Sequence, residues 1–177
     1  MKKAAILLIL SIVTVISCRS VGPTQRAGVG PAVANPSALP ASGYVTDNAK
    51  VIDDATRKQL ETTLAALKER KKIDFAVVTV SSTGDQSVRD QSLALARQRK
   101  KDSIEVNISG LLLLVAVDDR TWHIQITNNL EVKLTPEILT SLSTPMTDAF
   151  REKNYGEGIL KYVNAIITKL EQTDSAA

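Results

Sequence analysis

The sequence predicts an α/β fold, a three-layer α/β/α sandwich with a mixed central sheet of about four strands, and two observations carry that prediction. Apolar runs at Ile73–Val80 and at 110–117 have the length and the valine- and leucine-rich make-up of strands buried on both faces. The segments between and after them repeat apolar residues at helical spacing, and alternation of strand with helix places helices on both faces of a sheet.

Each element has its own signal. Tyr44-Val45-Thr46 is short and extended, and Asp47-Asn48-Ala49 turns the chain. Asp53 or Asp54 can cap a helix whose Leu60, Leu64 and Leu67 share one stripe and which ends in Lys68, Arg70, Lys71 and Lys72. The strand Ile73–Val80 stops at the polar loop 81–85, and a second helix follows over about 87–101. The run 110–117 reads as the central strand, after which Asp118-Asp119-Arg120 turns into an antiparallel neighbour at 121–127. Thr135 and Pro136 occupy the cap and first position of a helix that Pro145 is predicted to interrupt. Ile159, Val163, Ile166, Ile167 and Leu170 form the apolar stripe of a last helix covering the sheet.

Ahead of this domain, Lys2 and Lys3 precede an apolar stretch at 4–16, and Ser17-Cys18 follows at once. That stretch is shorter than the roughly 20 residues needed to span a bilayer. Charge, length and the small residue before Cys18 predict a lipoprotein signal peptide over 1–17, with Cys18 as the lipidated residue; the alternative is an uncleaved anchor with a chance cysteine. Residues 18–43 hold four of the six prolines and four of the eight glycines. They predict a flexible tether with a reach of roughly 25–30 Å, leading to a domain over 44–171 and a disordered tail over 172–177. The expected location is the cell envelope, extracytoplasmic and lipid-anchored, on the outer membrane facing the periplasm in a diderm host.

Composition excludes several functions. A single cysteine rules out a disulfide framework and multi-cysteine zinc or iron–sulfur sites. Six aromatic residues are too few for a base-stacking surface. The net charge of +3 belongs to the leader and tether, because from Gly43 onward 18 basic residues face 19 acidic ones; no nucleic-acid partner is expected. No Walker A loop, G-x-S-x-G elbow, GxGxxG or H-E-x-x-H is present.

Ligands of such sheets bind beyond the carboxyl ends of the parallel strands, where Asp47, the loop 81–85 and Asp118-Asp119 arrive. Carboxylates at Asp47, Asp118 and Asp119, with Asn48 and loop carbonyls, form a hard-oxygen set suited to Ca²⁺ or Mg²⁺. The plainer reading is that Asp and Asn are good turn formers. His123, the only histidine, reads as structural or surface. The clusters Lys68–Lys72 and Arg97–Lys101 read as solvated helix ends, with a phospholipid- or anion-binding face as the alternative.

The order of motifs resembles the TPM domain, a family found in thylakoid-lumen proteins linked to photosystem II repair and in secreted or tethered bacterial proteins. The matching residues are Val45-Thr46-Asp47-Asn48-Ala49 with Val51-Ile52, the strand Ile73–Val80, and Ser109-Gly110-Leu111-Leu112-Leu113 leading to Asp118-Asp119-Arg120. Ile126-Thr127-Asn128-Asn129-Leu130-Glu131, Leu134-Thr135, Phe150-Arg151 and Tyr155-Gly156-Glu157-Gly158-Ile159 complete the series. The resemblance spans about 43–170 and implies an α/β/α sandwich, divalent-cation binding in some members and weak acid phosphatase activity in some. The chain departs from the family where G-x-G-L-E becomes Thr127-Asn128-Asn129-Leu130-Glu131, and where the Asp of L-T-D is Pro136. Asn can take the left-handed geometry of a lost glycine, so the turn is expected to survive.

Three functions follow as expectations. The first is a membrane-tethered module that binds a divalent cation through Asp47, Asp118, Asp119 and Glu131 and supports assembly or maintenance of an envelope protein partner. The second is a weak metal-assisted phosphomonoesterase with Asp47, Asp118 and Arg120 as catalytic candidates. The third is a passive scaffold.

Overall fold

The computed structural model describes residues 43–102 and 108–175. Cys18, the signal peptide and nearly all of the tether lie outside the described residues. Four strands, β1 (Val45–Asp47), β2 (Ile73–Val80), β3 (Ser109–Ala116) and β4 (Thr121–Ile126), form one sheet in the order β1-β2-β3-β4. The first three are parallel and β4 returns antiparallel to β3. Side chains alternate across the pleat, so β2 and β3 bury both faces.

One face, carrying Phe75, Val77, Leu111, Leu113 and Val115, packs against Leu60, Leu64 and Leu67 of α1 (Asp54–Lys71) and against α5 (Tyr155–Ser175). The other, with Ala76, Val78, Leu112 and Leu114, is covered by α2 (Val88–Asp102) through Leu95. The three-layer sandwich with a four-stranded mixed sheet is as the sequence predicts. Among the described residues no helix is long and apolar enough to cross a membrane.

Three local expectations need correction. Pro145 does not interrupt its helix: α4 runs unbroken over Pro136–Arg151. The proline lies on the exposed face, where water can satisfy the carbonyl it leaves free, while Leu139, Ser143, Met146 and Ala149 anchor the opposite face. At the family's glycine-rich turn, residues Asn128–Glu131 form a short right-handed helix, α3, in place of a left-handed turn. Helix α5 also continues to Ser175, past the expected domain end at 171, with the Thr173 hydroxyl donating to the Lys169 carbonyl.

The contact between α4 and α5 depends on a missing side chain. A Cβ on Gly158 would stand 3.0 Å from the Met146 carbonyl oxygen and 3.1 Å from both Ala149 Cβ and Phe150 Cδ1. On Gly156 it would meet nothing nearer than 3.5 Å. Overpacking costs about 1–3 kcal/mol, against which Ala gains up to ~1 kcal/mol of helix propensity. Gly158→Ala is therefore expected to lose net stability in urea denaturation while Gly156→Ala stays neutral or gains. Equal effects would show that the helices separate freely.

Candidate functional site at the carboxyl edge of the sheet

Strands β1, β2 and β3 end at Asp47, Val80 and Ala116, so Asp47, the loop after β2 and Asp118-Asp119 reach one edge as expected. Their carboxylates have different fates. The side chain of Asp47 is fully buried. Its Oδ1 accepts from the Val51 amide at 3.1 Å and its Oδ2 from the Ile52 amide at 3.0 Å. The Thr79 hydroxyl also donates to Oδ1, and the Arg57 guanidinium stands 3.6 Å from Oδ2. Register explains the Thr79 contact, because Asp47 and Thr79 are paired across β1 and β2.

Asp119 turns toward the loop after β2. Its Oδ2 accepts from the Thr83 amide at 2.7 Å and from the Thr83 hydroxyl at 3.1 Å, and its Oδ1 from the Ser82 hydroxyl at 2.8 Å. The Thr83 amide first, then the Ser82 hydroxyl, holds the Asp119 carboxyl below the usual carboxylate range. Asp118 is exposed and its carboxylate has no partner among the described residues.

Glu131 lies elsewhere. Because β4 runs antiparallel and pairs Ile126 with Leu111, α3 begins at the amino edge, and Glu131 is separated from Asp118 by the length of the sheet. Among the described residues no three His, Cys, Asp or Glu side chains gather as a group that could hold a metal ion.

His123 pairs with Leu114 on the face covered by α2. Burial, then the nearby Arg89 charge, depresses its pKa and favours the neutral ring. Of the basic helix ends, Arg99 is not solvated. It grips Asp74 with two hydrogen bonds, 2.6 Å from Nε and 2.9 Å from Nη2, and donates from Nη1 to the Gly43 carbonyl at 2.8 Å.

At the carboxyl end of β3 opens a cleft of about 370 Å³. Its floor is Val115 to Val117, one rim carries Arg120 and Trp122, and the other carries Phe150, Arg151, Lys153 and Tyr155 from the end of α4 and the turn into α5. Arg120 follows Asp118-Asp119 directly in the chain, whereas Arg151 and Lys153 are brought there by the α4–α5 turn.

Residues 45–169 match the family described as the TPM domain. The chain belongs to the TPM domain family. Among solved structures, the TPM chain is similar to the N-terminal domain of a protein from P. gingivalis, solved in solution by NMR. That pair has 30% identity and a TM-score of 0.67 over 75% of this chain and 85% of that one. The BA42 protein of the psychrophilic bacterium Bizionia argentinensis has 16% identity and a TM-score of 0.58 over 68% and 82% of the two chains. The N-terminal domain of a Corynebacterium glutamicum protein has 15% identity and a TM-score of 0.57 over 72% and 79%. These last two share the fold alone. Among curated proteins none matches the chain.

Proposed function

We propose that this TPM chain is a lipid-anchored, extracytoplasmic module that takes a divalent cation at the carboxyl edge of its sheet and supports assembly or maintenance of envelope proteins. The observation that carries the reading is the division of labour among the acids. Asp47 and Asp119 fix the edge, while Asp118 stays exposed and unpartnered beside them. Hard oxygens at Asp118 and Asp119, completed by loop carbonyls and water, suit Ca²⁺ or Mg²⁺. Asp47 fits poorly, because its side chain is fully buried and Arg57 already supplies positive charge, whereas Asp119 is exposed; Glu131 is at the wrong edge.

Mass action gives the test. An ion bound only by the folded state stabilises it by about 2.7 kcal/mol at one hundred times Kd. Melting temperature is expected to rise with Ca²⁺ or Mg²⁺ and to rise much less in Asp118→Asn. Equal rises in both proteins would remove Asp118 from the site. The anchor is tested separately: Cys18→Ala is expected to abolish labelling by a fatty-acid analogue and leave an unprocessed precursor, and labelling that persists would refute it.

A weak phosphomonoesterase is the second reading, favoured by the three cations around the cleft. A bound ion would polarise the phosphoryl group and lower the pKa of its water; Asp118 would hold it and Arg120 would steady the phosphoryl oxygens. Turnover of p-nitrophenyl phosphate that survives neither EDTA nor Asp118→Ala, with the variant still folded, would promote this reading. Absence of such turnover leaves the binding module.

A further inference from the structure

The cleft has a composition that cation binding does not use. Its lining includes no acid, yet three basic side chains, Arg120, Arg151 and Lys153, stand around an apolar floor with Trp122, Phe150 and Tyr155 in the walls. Arg151 is partly neutralised by Asp148 at 2.5 Å, whereas Arg120 and Lys153 make no ion pair among the described residues. The aromatic walls make ring contacts. Phe150 and Tyr155 have ring centroids 5.1 Å apart, and Trp122 meets Tyr162 edge-on at 5.5 Å.

Two of the four non-glycine residues with left-handed backbone among the described residues stand at the cleft, the others being Lys50 and Lys72. Arg120 and Lys153 have φ values of 53° and 62°, in the left-handed region that disfavours side chains with a Cβ. Such residues concentrate at functional sites, and here one stands on each rim of the cleft.

We infer that this cleft binds a small organic carboxylate, its charge taken by Arg120, Arg151 and Lys153 and its aromatic or branched apolar body lying against Trp122, Phe150 and Tyr155. The volume falls within the range of small-molecule sites, and the mixture of apolar walls with a few convergent charges is characteristic of them. Guanidinium groups match a planar carboxylate through paired hydrogen bonds. A bare anion would gain nothing from the apolar floor. The inference is independent of cation binding.

Trp122 is the only tryptophan, so the ¹⁵N-labelled full chain gives one indole N–H signal, placed in the wall of the proposed site. Titration with 2-naphthoate is expected to shift that signal saturably. The neutral analogue 2-naphthylmethanol and the bare anions acetate and inorganic phosphate are expected to bind at least tenfold more weakly. Lys153→Gly and Arg151→Gln should each weaken naphthoate binding several-fold, and Lys153→Gly should do so with an unchanged or higher melting temperature, because glycine relieves the left-handed backbone. Equal binding of the neutral analogue would reduce the cleft to an apolar groove. Equal binding of phosphate would overturn the carboxylate assignment and favour the phosphoester reading. No saturable shift, or unchanged affinity in both variants, would overturn the inference.

Discussion

Asp47→Ala is expected to destabilise the domain by about 3–5 kcal/mol, the cost of removing one side of a buried, hydrogen-bonded charge. The carboxylate serves as the knot of the β1–α1 connection. Removing it leaves the Val51 and Ile52 amides and the Thr79 hydroxyl without their acceptor, and Arg57 without its counter-charge. Asp47→Asn keeps one acceptor oxygen and is expected to lose less, about 1–3 kcal/mol for the donor left unsatisfied. Urea denaturation with and without Ca²⁺ separates this role from cation binding. The structural role predicts the same loss in both conditions, and a loss that appears only with Ca²⁺ would restore Asp47 as a ligand.

Arg99 carries the second large effect. Its side chain is 12% exposed and that of Asp74 is 15% exposed, so the paired charges are shielded from water on both sides. The guanidinium also ties down the Gly43 carbonyl and lies 5.9 Å from the centre of the Tyr44 ring. Arg99→Ala strands the Asp74 carboxylate at the start of β2, and a loss of about 3–5 kcal/mol is expected. Arg99→Lys should recover only part, because an ammonium cannot reproduce the two parallel bonds. Replacing both partners, Arg99→Met with Asp74→Leu, should cost much less than Arg99→Ala alone. A single variant that melts like wild type would mean that the pair is held apart by water in solution.

These two residues also mark where reading the sequence succeeds and where it stops. Leu60, Leu64 and Leu67, the runs in β2 and β3 and the stripe on α5 announce themselves, because burial is written in local periodicity. The edge to which Asp47, Asp118 and Asp119 converge follows from the alternation of elements. The partner of each carboxylate does not. Asp47 is internal because the β1–β2 register sets it opposite Thr79, and no spacing along the chain encodes that pairing. Arg99 resembled any other cation at a helix end until the start of β2 placed Asp74 against it. Arg151 and Lys153 are about thirty residues beyond Arg120 in sequence and share its cleft only because α4 and α5 reverse direction there. Pro145 shows the opposite limit, a strong local signal overridden by the packing of Leu139, Met146 and Ala149.

The strand order β1-β2-β3-β4 repeats the order of synthesis, with a consequence for how the chain reaches this state. Every strand joins beside the one made just before it, so the sheet can grow in one direction without waiting for a strand from the far end of the chain. The two faces then mature at different times. The α2 face is complete once β4 has joined, since Ala76, Val78, Leu112 and Leu114 pack beneath α2 and His123 of β4 extends the same face. The α1 face must wait for the carboxyl terminus, because Ile159, Tyr162, Val163 and Ile166 arrive last. Until α5 docks, a half-finished chain shows its larger apolar surface to solvent, which makes that interval the one in which premature release, truncation or a missing chaperone does most harm.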